Sequence, residues 1–148
     1  MDITHTARIA ASRSSLVRTL TTQEGIAGWY TPATTAEARV GAIVECTFSN
    51  YGSLQFRVDE LDPARRVSWT VMKGPTEWID TKIAFMFAER DRAVDLEFRH
   101  SGLPRDYSEY SAFNYLWGQY VRSIKMHAEA GVGEPFGSVG SKSAGTTP

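Results

Sequence analysis

The chain has 148 residues, 42% of them hydrophobic and 22% charged, with a net charge of −1. That composition is globular and of one-domain length, long enough to bury a core without disulfides. Near-neutral charge with no Lys/Arg block argues against nucleic acid as a partner, and a single cysteine, Cys46, excludes an intrachain disulfide. No stretch approaches the ~18 apolar residues of a membrane span, so no membrane association is expected. The N-terminus lacks the apolar run of a signal peptide, and a cytoplasmic location is the expectation.

Residues 2–10 alternate, with Ile3, His5, Ala7 and Ile9 on one side, as in a half-buried strand. Ser12 or Ser14 then caps a short helix carrying Leu16, Val17 and Leu20. Thr21 with Glu24 has the spacing of a capping box, which predicts a second short helix with Ile26 and Trp29, ended by Pro32. Residues 39–49 read as a strand of uncertain phase. Four clearer strands follow. Residues 53–61 turn Leu54, Phe56 and Val58 one way; 66–72 turn Val67, Trp69 and Val71; 78–88 turn Ile79, Thr81, Ile83, Phe85 and Phe87; 93–100 turn Val94, Leu96, Phe98 and His100. Such alternation with short connections predicts an antiparallel meander with one buried face. A long helix is expected over residues 106–130, its stripe formed by Tyr110, Phe113, Trp117, Tyr120, Val121, Ile124 and Ala128. Gly131 suits the stop. Residues 137–148 are Gly/Ser-rich and read as a flexible tail behind one domain spanning 1–136.

One apolar sheet face and one apolar helix stripe pack most economically on each other. The expected class is α+β: a helix-grip fold, a curved antiparallel sheet wrapped around a long C-terminal helix, with two short helices after the first strand. A helix across a bent sheet touches it unevenly and can leave a gap.

The segments RTLTTQEGIAGWYTP, VDELDPARRVSWTV, GPTEWIDTKIAFMF, LEFRHSGLP and FNYLWGQYVRSIKMHAEAGVGEPF, in that order, resemble the SRPBCC (START/Bet v 1-like) superfamily. Within it they are most similar to the group related to the C-terminal domain of the activator of Hsp90 ATPase. The resemblance implies an apolar cavity between sheet and long helix, and binding of a lipid, sterol, polyketide or other hydrophobic molecule. A minority of the superfamily are cyclases or hydrolases. The chaperone-docking N-terminal domain of the eukaryotic co-chaperone is not in this sequence, so direct chaperone activation is not expected from it. Relatives often carry Cys-Asn where this chain has Phe113-Asn114, and no thiol role carries over.

The inward rings Trp29, Phe56, Trp69, Phe85, Phe98, Phe113, Trp117 and Tyr120 either wall a ligand cavity or fill a core. His100 and Asn114 are the polar candidates beside them, for orienting a ligand or for bonding backbone. Trp78 belongs either to the cavity mouth or to the outer face. Cys46 reads as a small buried residue. Three scattered histidines have no ligand spacing, so no metal is expected, and no cofactor fingerprint occurs. Three functions follow: a non-catalytic binder of a small hydrophobic or aromatic molecule, lipid-like or polyketide-like; a protein-interaction module or co-chaperone; and a cyclase- or hydrolase-type enzyme.

Overall fold

A computed structural model describes residues 1–138. The tail predicted over 137–148 therefore lies almost wholly outside the described residues. Strand β1 (Ile3–Ile9) leads into helices α1 (Arg13–Thr21) and α2 (Gln23–Trp29). Then come a two-residue strand β2 (Thr34–Thr35), β3 (Ile43–Phe48), β4 (Gly52–Asp62), β5 (Arg66–Lys73), β6 (Lys82–Arg90) and β7 (Ala93–Ser101). Helix α3 (Tyr110–Ala130) ends the fold. The seven strands form one antiparallel sheet in the order β1-β7-β6-β5-β4-β3-β2. The sheet is curved and open, and its elements match the helix-grip expectation.

Local chemistry explains the boundaries. Ser12 caps α1 by accepting the Ser15 N–H. The second cap is Thr22, which accepts the Gly25 N–H; Thr21 is the last residue of α1, and its hydroxyl donates to the Val17 carbonyl. The expected capping box is thus one residue early. Strand β6 also starts later than predicted. Residues 76–78 form a 3-10 turn, and Asp80 adopts a left-handed φ of 67°. Consequently Ile79 is 40% exposed, while Trp78 is buried. The β6–β7 hairpin needs only two residues: Asp91 and Arg92, both at positive φ, between the paired Arg90 and Ala93. This is the turn whose twist suits a two-residue hairpin. Helix α3 begins four residues later than expected and stops at Gly131, which takes φ 80° as the left-handed cap.

Strand phases elsewhere follow the alternation. Leu54, Phe56 and Val58, then Val67, Trp69 and Val71, then Val94, Leu96, Phe98 and His100 are all buried. Helix α3 lies along β1. His5 Nε2 donates to the Asn114 carbonyl at 3.0 Å, and Glu129 accepts the Ala10 N–H at 2.7 Å. Lys125 of α3 also donates to the Arg8 carbonyl, so the helix runs beside the edge of β1 that β7 does not pair, an edge otherwise open to strand addition.

Candidate functional site

The inward side chains of β4 to β7 meet α2 and α3 in a single aromatic assembly. Trp117 of α3 lies 4.5 Å from Phe98 of β7, centroid to centroid, and stacks on Tyr30 at 5.6 Å. Phe56 and Trp69 are 5.0 Å apart, Trp69 and Phe85 5.1 Å, and Trp29 and Tyr120 6.4 Å. Trp78 is inserted between Phe113, at 4.8 Å, and Trp117, at 6.0 Å. Such spacings are those of rings in direct contact. Each of these side chains is buried. The residues predicted to line a cavity do come together, and in this structure they occupy the space between sheet and helix. The gap beside Trp69, bounded by Leu20, Ile26, Val44 and Val58, does not admit a water molecule.

Three rings of this assembly, Tyr30, Phe48 and Tyr107, were not among the expected site residues, and a fourth, Trp78, was expected only at the cavity mouth or on the outer face. Tyr30 and Phe48 sit at the ends of α2 and β3, where periodicity gives no phase. Trp78 sits in the 3-10 turn, and its indole N–H donates to the Tyr107 hydroxyl at 3.0 Å. The buried state of Trp78 resolves the choice between mouth and outer face in favour of neither.

His100 is fully buried, and its hydrogen bonds define its chemistry. An indole N–H only donates, so Trp117 Nε1, 3.2 Å away, requires His100 Nδ1 to be the acceptor. Nε2 then carries the proton and donates to Thr81 Oγ1 at 2.8 Å, while Thr81 donates to the Trp78 carbonyl. In this Trp117–His100–Thr81–Trp78 series every donor meets an acceptor when the imidazole is neutral. Burial pushes the ring's pKa down to about 3. Both nitrogens are committed to side chains, so neither is free for acid–base work; the backbone partner expected for this histidine is Thr81 and Trp117 instead.

Asn114 lies on the flank of α3, half-exposed, and its backbone carbonyl holds His5. It does not join the ring assembly. Cys46 is buried beneath Thr34 Oγ1, and burial pushes its thiol up to about 12, which makes it inert. Burial likewise raises the Tyr30 and Tyr120 hydroxyls. No cluster among the described residues could hold a metal ion, and no described helix is long and apolar enough to cross a membrane.

The opposite face of the sheet carries an open groove of about 1020 Å³, lined by Arg8, Glu60, Arg66, Met86, Asp95 and Glu97 among others. Its charges are paired with one another or with neighbours just outside it: Arg66 with Glu60 at 2.8 Å, Arg8 with Asp95 at 3.0 Å, Asp95 also with Arg90 at 2.7 Å, and Glu97 with Arg99 at 3.1 Å. Exposed pairs of this kind contribute little to stability.

The sequence profile of the family described as Activator of Hsp90 ATPase homolog 1-like protein matches residues 10–129. Comparison with curated protein sequences finds no match. Among solved structures, the chain is similar to the solution structure of the Aha1 dimer from Colwellia psychrerythraea. That similarity has 27% identity and a TM-score of 0.82, and it covers 90% of this chain and 99% of the other. A Mesorhizobium loti protein is 18% identical with a TM-score of 0.74, over 85% of this chain and 95% of that one. A Staphylococcus saprophyticus protein is 16% identical, also with a TM-score of 0.74, over 90% and 95%. The last two likenesses speak for the fold alone.

Proposed function

Because the chain belongs to the Activator of Hsp90 ATPase homolog 1-like family, a group of the SRPBCC superfamily with a ligand-binding type of fold, we propose that it is a non-catalytic protein-binding module working through its surface. The observation that carries this reading is the ring contact across the interior. With Phe98, Trp117, Trp78 and Tyr30 packed on one another, the surface is the part left to meet a partner. The family description, Activator of Hsp90 ATPase homolog 1-like protein, makes an Hsp90-type chaperone the first partner to test. Purified protein is titrated into the Hsp90-type ATPase of the same organism, and complex formation and ATP turnover are followed. The expected result is a complex with a Kd below ~50 µM. Absence of any complex at that concentration, with ATP turnover unchanged, removes the chaperone reading.

A second reading has its own observation. At its Tyr30–Phe48 end the aromatic interior is covered by an irregular segment, residues 131–138, rather than by helix or sheet. In this reading a small hydrophobic or aromatic molecule enters by displacing that cover, and Trp29, Phe56, Trp69, Phe85, Phe98, Phe113, Trp117 and Tyr120 rearrange around it. Shape and apolar burial supply its affinity, at roughly 25 cal/mol per Å². A cyclase or hydrolase role is not proposed, since His100 has no free nitrogen.

A further inference from the structure

The GVGEPF sequence after α3 does more than end a helix. From Gly131 the chain turns back over the end of α2. The Phe136 N–H donates to the Tyr30 carbonyl at 2.8 Å. The Glu134 N–H donates to Ser123 Oγ at 2.8 Å, and that hydroxyl donates to the Trp29 carbonyl at 2.9 Å. Gly133 passes so close to α2 that an added Cβ would stand 2.5 Å from the Gly28 carbonyl oxygen. The Phe136 ring lies 5.2 Å from Phe48 at 77°, Phe48 lies 5.1 Å from Tyr30, and Tyr30 stacks on Trp117. Four rings in file thus lead from the half-buried Phe136 to the centre of the interior. Strand β6 is hydrogen-bonded along both edges, whereas this segment belongs to no helix or sheet. Segments of that kind open locally at lower free energy than core strands.

We propose that residues 131–136 are a releasable strap closing an aromatic site, and that a planar aromatic molecule with an N–H or O–H donor takes the place of Phe136. Its ring sits edge-on against Phe48, where the Phe136 ring now sits. Its donor bonds the Tyr30 carbonyl, replacing the Phe136 N–H. The strap competes with the molecule, so the apparent affinity is lowered by the fraction of time the strap is open. This proposal rests on the second reading above.

The test uses the full chain and indole, a planar ring with one N–H donor, followed by amide NMR shifts. Wild type is compared with Gly133→Ala, whose methyl meets the Gly28 carbonyl, and with Phe136→Ala, which removes the competing ring. Thermal melts establish that each variant is folded, and Phe136→Ala carries the comparison should Gly133→Ala fail to fold. Indole is expected to shift Tyr30 and Phe48 in all three proteins and to bind the variants ~10-fold more tightly, as for a strap open about a tenth of the time. Shifts at Trp117 and Tyr120 with equal affinity in all three proteins overturn the strap and leave the interior reading standing. No shift anywhere in any of them overturns both. A Phe136 amide that exchanges as slowly as those of Phe85 and Phe98 overturns the strap as well.

Discussion

At the level of single residues, His100 has the most measurable consequences. Its ordinary pKa is 6.5 and burial takes it to about 3 in the folded chain. Between those values the unfolded chain binds a proton that the folded chain excludes. The contribution of His100 to stability is therefore complete above pH 6.5 and is lost as pH falls towards 3, with a slope of at most ~1.4 kcal/mol per pH unit. His127, whose pKa is also lowered by burial, acts with the same sign. Glu60, held low by Ser68 and Arg66, and Asp95, held low chiefly by Arg90, also lose stability on acidification, but below about pH 4.5. Thermal melts of wild type between pH 7 and 5 are expected to show a falling midpoint, and His100→Gln a visibly flatter one. Equal slopes would mean that His100 does not titrate with unfolding. The inward direction of His100 was legible from strand alternation. Its partners were not, because Thr81 and Trp117 lie 19 and 17 residues away and only folding makes them neighbours.

The secondary-structure elements show how far a local pattern reaches. Helices α1 and α2 were legible in place and type, yet the cap between them fell one residue from its expected position. Thr21 and Thr22 are chemically identical, and the backbone turn selects the second. Thr22→Ala should cost ~1 kcal/mol, the usual loss of a capping oxygen. Gly25→Ala should cost more, ~1–3 kcal/mol, because its Cβ would stand 2.3 Å from the Arg18 carbonyl oxygen and push the two helices apart. Urea melts of both variants, with Thr21→Ala as comparison, check the order. A loss for Thr22→Ala of well under ~0.5 kcal/mol would mean that Thr22 does not act as the cap. The start of β6 was misplaced for a similar reason: Asp80 in the left-handed region breaks the strand that alternation alone extends back to Trp78.

At the scale of the whole molecule, the central fact is that opposed rings meet. Trp117 touches Phe98, Tyr30 and Trp78 and donates to His100, so Trp117→Ala should cost ~3–5 kcal/mol through the cavity it leaves. Phe136 sits at the rim and touches Phe48, and Phe136→Ala should cost well under half as much. Chemical denaturation of the two variants measures the difference. Similar losses would make the segment after α3 as integral to the core as α3 itself. The outer groove follows another logic: its carboxylates and guanidinium groups satisfy one another across neighbouring strands, which makes it a solvated face.

Taken by itself, the sequence determined the class of fold, the inward face of each strand from β4 to β7, and the helix stripe that meets them. Those features depend on periodicity, a property of neighbours along the chain. Whether the inward rings of Phe56, Trp69, Phe98 and Trp117 enclose a space or fill it was decided only by the tertiary structure. That outcome depends on how closely α3 settles on the sheet and on rings no pattern could orient, Tyr30 and Trp78 above all. They fill it, because dispersion between close-packed rings rewards contact at every available surface.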